Sequence, residues 1–428
     1  MVLANPKLHI LPVAGVRWGV AYAGIKSSAE YPSNDLALME LASGSQCAAV
    51  FTQNAFCAAP VTVAKNKLAS LAEQKDSSAI YLLINSGNAN AGTGDEGYRA
   101  AELSCQLVAE SNSCDAQRVL PFSTGVIGQS LPVEKIQAVS DALNASLSTD
   151  SWSLAAEAIM TTDTVAKGFS RTIDVDGKRI TVSGICKGAG MIRPNMATML
   201  AYVATDAELD SEDLQPLLDH AVQCSFNRIT VDGDTSTNDA CVLAATGQAG
   251  VKLDSKHAAW HEFNSVLRLL FVDLATAIIR DAEGASKFIT IDVKGGRSSA
   301  ECLQVAYAVA ESPLVKTAFF ASDANWGRIL AAVGRAGVEH LDVDAIEIYL
   351  DDLLICQQGG QASTYDEQQA MKIMGQQDIS VTIDLQRGSV DERVWTSDLS
   401  LDYVHINCLL YTSPSPRDRT RSRMPSSA

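Results

Sequence analysis

The chain has 428 residues, of which 47% are apolar, 19% charged and only 6% aromatic, a folding composition with many small side chains and enough length for two or three packed lobes. Its formal net charge of −17 excludes a generally basic surface for nucleic-acid phosphates or anionic membrane, so the expected partners are small molecules met by local residues, with no nucleic acid and no membrane. Ten cysteines without a C-x-x-C pair point to reduced thiols in a cytoplasmic setting and away from a disulfide scaffold.

The opening segment MVLANPKLHILPVAGVRWG carries neither a basic-then-apolar leader nor an Arg-rich transit pattern. Residues 46–64, QCAAVFTQNAFCAAPVTVA, and 79–85, AIYLLIN, are rich in Val, Ile and aromatics and predict buried strands. The turn residues NSGNANAGTGDEG at 85–97 lead into YRAAELSCQLVAE, which predicts a helix. Strand, glycine-rich turn and helix suggest a nucleotide loop, but GNANAGTG has neither the GxxxxGK[ST] lysine nor the GxGxxG spacing. RVLPF and STGVIG follow at 118–128, then a helix LPVEKIQAVSDAL with Pro132 near its first turn. RTIDVDGKRITVSGIC at 171–186 reads as a hairpin turning at Asp176-Gly177. After the stretch KGAGMIRPNMATML come a strand, LAYVATDA, and a helix opening on the capping pattern Ser211-Glu212-Asp213. The most hydrophobic window, SVLRLLFVDLATAIIR at 265–280, carries Arg268, Asp273 and Arg280 and reads as a core helix with a wet edge.

The order of strands and helices recurs after residue 285 in KFITIDVKGG, SAECLQVAYAVAES and LVKTAFF. Such an order predicts a layered α/β sandwich with antiparallel pairing, not a doubly wound sheet. The last 21 residues, CLLYTSPSPRDRTRSRMPSSA, bring four arginines, three prolines and five serines without periodicity. From about Pro414 they read as an atypical disordered tail, non-native adaptor sequence being the favoured origin and a nucleic-acid-binding tail the rival.

Six histidines are available. His257 and His261 form HAAWH, which lacks the glutamate of HExxH and reads as surface helix, and no GxSxG elbow exists. A nucleophile without histidine needs another base, and the free α-amine of an N-terminal threonine, with an unperturbed pKa near 7.7, serves. Thr198 is internal, so that amine requires a backbone cut: attack of Thr198 Oγ on the Ala197 carbonyl, an N-to-O acyl shift and ester hydrolysis. Pro194-Asn195 favours a turn able to strain Ala197, whose small side chain leaves the carbonyl open. The competing reading of Thr198 is an ordinary strand residue or cap. The run Asp232-Gly-Asp-Thr-Ser-Thr-Asn-Asp239 lacks the final Glu of an EF-hand loop and reads as a network of Asx and hydroxyl turns.

KGAGMIRPNMATML resembles the self-cleavage site of the ornithine acetyltransferase family, also called glutamate N-acetyltransferase, of arginine biosynthesis. The resemblance extends over AAVFTQN at 48–54, NSGNANAGTG at 85–94, STGVIG at 123–128, MTTDT at 160–164, FNRITVDGDTSTND at 226–239, EGASK at 283–287, KTAFFASDANWGR at 316–328 and DLSLDYVHIN at 398–407. It implies a layered α-β-β-α sandwich of that family's type, with a smaller C-terminal α/β lobe. It also implies autocatalytic cleavage between Ala197 and Thr198 into an alpha chain 1–197 and a beta chain 198–407, followed by the tail 408–428, in a dimer of such heterodimers.

By the same resemblance Thr198 is the nucleophile, and Thr124 and Gly125 are the oxyanion pair. Thr161, Lys187, Thr198, Glu283 and Asn407 line the substrate, with Lys187 suited to a substrate carboxylate and Glu283 to an amine. Thr412 stands near the family's C-terminal hydroxyl residue. Asn325 to Arg328 are expected to pack beneath the pocket. The implied reaction moves acetyl from N2-acetyl-L-ornithine to L-glutamate through acetyl-Thr198, without a metal or organic cofactor. Some members also take acetyl-CoA as donor, which the sequence leaves open here, and the alternative is an N-terminal-nucleophile amidohydrolase or aminopeptidase with water as acceptor. Departures are Ala321-Ser322-Asp323-Ala324 in place of a Gly-Glu-Asp-Pro type segment, Ala282 in place of Gly, and the residues from Cys408 onward.

Overall fold

The structure, a computed structural model, describes residues 8–26, 33–73, 77–193 and 199–409. Ala197, Thr198, Thr412 and the tail from residue 410 lie outside the described residues. The chain divides into two compact units at Asp281/Ala282, a packing boundary distinct from the expected cut at Ala197/Thr198.

In chain order the first unit runs β1 (Val16–Ala21), β2 (Leu36–Leu41), β3 (Gln46–Phe51), α1 (Ala59–Glu73), β4 (Ile80–Asn88), α2 (Gly94–Asn112), β5 (Val119–Val126), α3 (Val133–Ala145), α4 (Trp152–Ala158), β6 (Lys167–Val175), β7 (Lys178–Lys187), β8 (Leu200–Thr205), α5 (Ser211–Gln223), β9 (Ile229–Thr230), β10 (Ala240–Ala245) and α6 (Trp260–Arg280). One sheet has the order β1-β2-β4-β5 and a second the order β3-β10-β8-β7-β6. Pairing is antiparallel except between β4 and β5 and between β8 and β10.

Period-two alternation sorts each strand's side chains between two cores. Ala37, Met39 and Leu41 of β2 and Ile80, Leu82 and Ile84 of β4 share a buried cluster with Tyr202 of β8 and Val242 of β10, which is the layer between the sheets. Their neighbours Leu36, Leu38, Tyr81 and Leu83 pack on the opposite face with Ala101 and Cys105 of α2 and Ile136 of α3. Leu270 and Leu274 of α6 approach Gly184 of β7, while the adjacent Ile185 enters the inter-sheet core, so α6 covers the far face of the second sheet. The unit is an α/β sandwich in four layers. Trp152, Trp18, Tyr202 and Phe122 run through its centre in edge-to-face contacts with centroids 5.6, 5.8 and 5.4 Å apart.

The second unit runs β11 (Phe288–Gly296), α7 (Ser299–Ala310), α8 (Pro313–Phe320), α9 (Trp326–Gly334), β12 (Glu347–Leu350), β13 (Leu353–Gln357), β14 (Gly360–Gln361), α10 (Glu367–Met374), β15 (Asp378–Asp384), β16 (Val390–Ser397) and α11 (Leu401–Leu409). Its strands take the order β14-β13-β12-β15-β11-β16, with β11 and β15 parallel and the other pairs antiparallel. Ile289, Ile291 and Val293 of β11 and Ile379, Val381 and Ile383 of β15 pack against Val305 of α7, Val333 of α9 and Met374 of α10. The unit is a separate α/β lobe with its own core.

Two sequence expectations are corrected. The predicted strand over 46–64 ends at Phe51, and its last six residues, 59–64, lie in α1. Pro60 sits in the first helical turn, where its missing N–H costs nothing, and Ala64, Leu68 and Leu71 recur at helical spacing on the face that meets the core. The valines concealed that period. At α5 the cap is Asp210, and Ser211 is already helical.

Candidate active site

At the end of β5 the side chain of Thr124 is buried while Gly125 is exposed. Gly125 has φ +136°, and a Cβ built on it would stand 2.2 Å from the Gly87 carbonyl carbon and 2.5 Å from the Asn88 nitrogen. Only glycine permits β5 to lie that close to β4. The strand ladder is irregular at the same point, between Gly87 and Asn88. Side-chain amides hold the deformation: Ser123 Oγ donates to Asn85 Oδ1 at 2.6 Å, Asn85 Nδ2 to the Asn88 carbonyl at 2.8 Å, and Asn238 Nδ2 to the carbonyls of Ala89 at 2.6 Å and Ser123 at 3.0 Å. The NSGNANAG stretch is thus the brace that fixes where Thr124 and Gly125 sit.

Lys187, the last residue of β7, reaches the same place. Its Nζ donates to Thr161 Oγ1 at 2.8 Å and Thr124 Oγ1 at 3.2 Å, and stands 4.0 Å from Asp163 Oδ2. Asp163 accepts from the backbone N–H of Gly188 at 2.6 Å and of Thr161 at 3.0 Å, and from Lys167 Nζ at 2.7 Å. Burial alone would raise the Asp163 carboxyl, but the ammoniums of Lys187 and Lys167 and the Gly188 N–H outweigh it and hold the group well below the usual carboxylate range. Burial also lowers nearby Lys26, against the pull of Asp35 and Asp163.

The chain on either side of the expected cleavage position is clamped by the 231–240 segment. Asp232 accepts the N–H groups of Met191 at 2.7 Å, Ile192 at 2.9 Å and Asp234 at 3.2 Å. Thr235 Oγ1 donates to the Arg193 carbonyl at 3.0 Å, and the Ala240 N–H to the Met199 carbonyl at 3.0 Å. The run from Asp232 to Asp239 is therefore the turn network anticipated from its composition, with the added task of holding Arg193 and Met199.

Asp239 is 2% exposed, and among the described residues its Oδ2 finds no hydrogen-bond partner. Burial pushes its carboxyl well above the usual range, although Ser236, Lys187 and the Met199 N–H favour the anion. A raised folded-state pKa gives stability that is complete below the unfolded value near 3.9 and is lost as pH rises toward the folded value. Against Asp239→Asn, which cannot ionise, the wild type is expected to lose stability steadily as pH rises from about 4 toward neutrality. Urea unfolding of both proteins across that range measures the difference; parallel curves would mean that Asp239 is charged in the fold.

In the second unit Asn407 of α11 donates from Nδ2 to Glu283 Oε2 at 2.8 Å, and Glu283 is 8% exposed. Ser400 Oγ donates to the Gly284 carbonyl at 2.6 Å, and Asp398 accepts the N–H groups of Ser286 at 2.8 Å and Lys287 at 3.0 Å, so the EGASK segment and the DLSLDYVHIN segment are tied together. Asn325 caps α9 by accepting the Arg328 N–H at 3.0 Å, and Arg328 donates to the Leu314 carbonyl at 2.8 Å.

Of the expected site residues, the first unit brings Thr124, Gly125, Thr161 and Lys187 together, and the second brings Glu283 to Asn407. Asp163, Lys167 and Asp239 were not singled out in the sequence. The MTTDT run contains Asp163, but a carboxylate that works by holding a lysine more than twenty positions away leaves no local spacing to read. No group of three or more metal-ligating side chains occurs among the described residues.

The first unit is a four-layer α/β sandwich that carries a threonine hydroxyl and a glycine at one strand end, beside a lysine, a set of donors suited to the oxyanion of an acyltransferase. The chain belongs to the ArgJ family, whose model matches residues 17–413. It is 51% identical over 404 residues to the "Arginine biosynthesis bifunctional protein ArgJ" of Pseudomonas syringae pv. tomato, covering 94% of this chain and 97% of that one. It is 52% identical over 405 residues to the protein of the same name from Pseudomonas fluorescens, again covering 94% and 97%. Among solved structures, a crystal structure of the bifunctional ArgJ protein from Bacillus halodurans matches 49% of this chain and 99% of its own at 39% identity, with a TM-score of 0.47.

Proposed function

We propose that this chain is an acetyltransferase that moves the acetyl group of N2-acetyl-L-ornithine to L-glutamate through an acetyl-Thr198 intermediate, after cleaving itself between Ala197 and Thr198. The observation that supports this reading best is the cluster at the end of β5, where the Lys187 ammonium holds the Thr124 and Thr161 hydroxyls beside Gly125.

The steps balance without a metal or organic cofactor. Cleavage frees the Thr198 amine, which takes the proton of Thr198 Oγ, directly or through a water, as that oxygen attacks the acetyl carbonyl. The Thr124 hydroxyl and the Gly125 N–H donate to the oxygen that becomes negative. Collapse breaks the C–N bond, the leaving amine carries off the proton, and L-ornithine departs. L-Glutamate then attacks the acyl-threonine with its α-amine, which gives up a proton; collapse breaks the bond between Thr198 Oγ and the acetyl carbon, Oγ takes back a proton, and N-acetyl-L-glutamate leaves. Glu283, held by Asn407, is assigned to the amine and its proton, while Lys187 and Thr161 bind the amino-acid portion. Thr412 completes the substrate-binding set in this reading. The assembly is a dimer of alpha–beta heterodimers in the cytoplasm. No helix among the described residues is long and apolar enough to cross a membrane.

The test is acetyl transfer from N2-acetyl-L-ornithine by purified protein with and without L-glutamate, reading ornithine, free acetate and N-acetylglutamate. Ornithine release is expected to depend on glutamate and to match N-acetylglutamate formed. Acetate release at a rate indifferent to glutamate would replace this reading with a hydrolase. Supplying acetyl-CoA in place of acetylornithine decides whether the protein also makes N-acetylglutamate from that donor.

A further inference from the structure

Behind Lys187 a ladder of alternating charges runs into the first unit. Lys187 Nζ stands 4.0 Å from Asp163 Oδ2, Asp163 Oδ1 accepts from Lys167 Nζ at 2.7 Å, and Lys167 Nζ donates to Asp281 Oδ2 at 2.5 Å. Asp281 also accepts the Thr164 N–H at 3.0 Å and the Thr164 hydroxyl. The side chains of Asp163, Lys167 and Asp281 are 0, 1 and 4% exposed. Burying three ions is costly, and apolar side chains of similar volume stabilise a core as well or better. A ladder this deep therefore calls for a reason other than stability.

Its outer end supplies one. Lys187 donates to Thr124 Oγ1 and Thr161 Oγ1. A hydroxyl that accepts from an ammonium has its own proton turned away from that ammonium, and donates more strongly to a second oxygen. Asp163 also grips the backbone of Thr161 and of Gly188, the residue after Lys187, through their N–H groups. We propose that Asp163, backed by Lys167 and Asp281, is a positioning residue for acyl transfer: it fixes a charged Lys187 against Thr124 so that the Thr124 hydroxyl proton points at the oxyanion. The proposal rests on the acetyl-transfer reading above and gives Lys187 a task besides binding a substrate carboxylate.

The charged and titratable groups that face Lys187 include Asp163 from the turn after α4, Lys26 from the segment after β1, Cys186 of β7 and Asp239 ahead of β10, whose burial favours the neutral acid, while Lys167 of β6 and Asp281 after α6 stand behind Asp163. Asp163→Asn removes a carboxylate beside Lys187 while the neighbouring Lys26 ammonium stays, so Lys187 should lose its proton at lower pH. Lys167→Met removes a cation and should do the reverse.

Steady-state transfer from acetylornithine to glutamate by the cleaved enzymes, followed from pH 7 to 10, tests this. For Asp163→Asn the expected result is kcat lower by about tenfold or more, because the Thr124 contact to the oxyanion strengthens in the transition state, accompanied by a smaller rise in KM where Lys187 binds the substrate carboxylate. The alkaline limb of kcat should move down by about one pH unit in Asp163→Asn and upward in Lys167→Met. A wild-type kcat and limb in Asp163→Asn, a change confined to KM, or limbs that move in the same direction in both variants would overturn the proposal. Failure of both variants to fold, judged by circular dichroism and thermal unfolding, would overturn it in favour of a structural role. A wild type that transfers no acetyl to glutamate refutes the acetyl-transfer reading instead, so the two failures are distinguishable.

Discussion

Thr198→Ala is expected to remain a single chain of 45.4 kDa and to transfer no acetyl group. Removing Oγ removes the only atom of residue 198 that can attack the Ala197 carbonyl, so no ester forms and no α-amine is released. Transfer fails for two reasons at once, the missing nucleophile and the missing base, and groups that act as a unit lose together. The loss should be about 10⁴-fold or greater. Thr198→Ser keeps an oxygen in place and should still cleave. Denaturing intact-mass analysis reads the first half of the prediction: the wild type should give fragments of roughly 21 and 25 kDa by residue count. An Ala variant that is processed and active would remove Thr198 from the mechanism.

Local chemistry was the legible part of this protein. The hairpin at Asp176-Gly177 was readable because both residues take positive φ, 52° and 76°, as a tight two-residue turn requires. The alternating strands and the 260–280 helix were readable because one face of each is buried and periodicity records that. Residues 59–73 were not, since valine reads as strand until the helical spacing of Ala64, Leu68 and Leu71 is set against it. In the site, Thr124, Gly125, Thr161 and Lys187 could be nominated from motifs. What could not be read was the use made of them. Lys187 donates to two hydroxyls, and the carboxylate that holds it comes from Asp163, on a different element. Pairings of that kind are set by the fold, with no constraint on sequence separation. The buried Asp239 escaped for a related reason: in the sequence it is one of three aspartates in a polar loop, and only burial separates it from the others.

Gly125→Ala is expected to damage stability and catalysis together, by more than a methyl group ordinarily does. The new Cβ would stand 2.2 Å from a backbone carbon of Gly87 and 2.7 Å from its Cα. Neither atom belongs to a flexible side chain that can swing away, so β4 and β5 must part at their parallel junction. The residue would also keep φ near +136°, where an L side chain is strained. Strain and overpacking together suggest a loss of about 2–5 kcal/mol. Parting the strands shifts the residue 125 amide and the Thr124 hydroxyl away from the oxyanion, and loss of one such donor lowers kcat by about 10² to 10³. Gly44→Ala is the control, because Gly44 has φ +88° but no atom within 4 Å of where its new methyl group would stand; it should lose only the strain contribution, about 1–3 kcal/mol, with kcat unchanged. Thermal unfolding and kcat of the two variants separate the effects. Equal losses in both would mean that backbone conformation, and not the close approach of β4 to β5, is what position 125 requires.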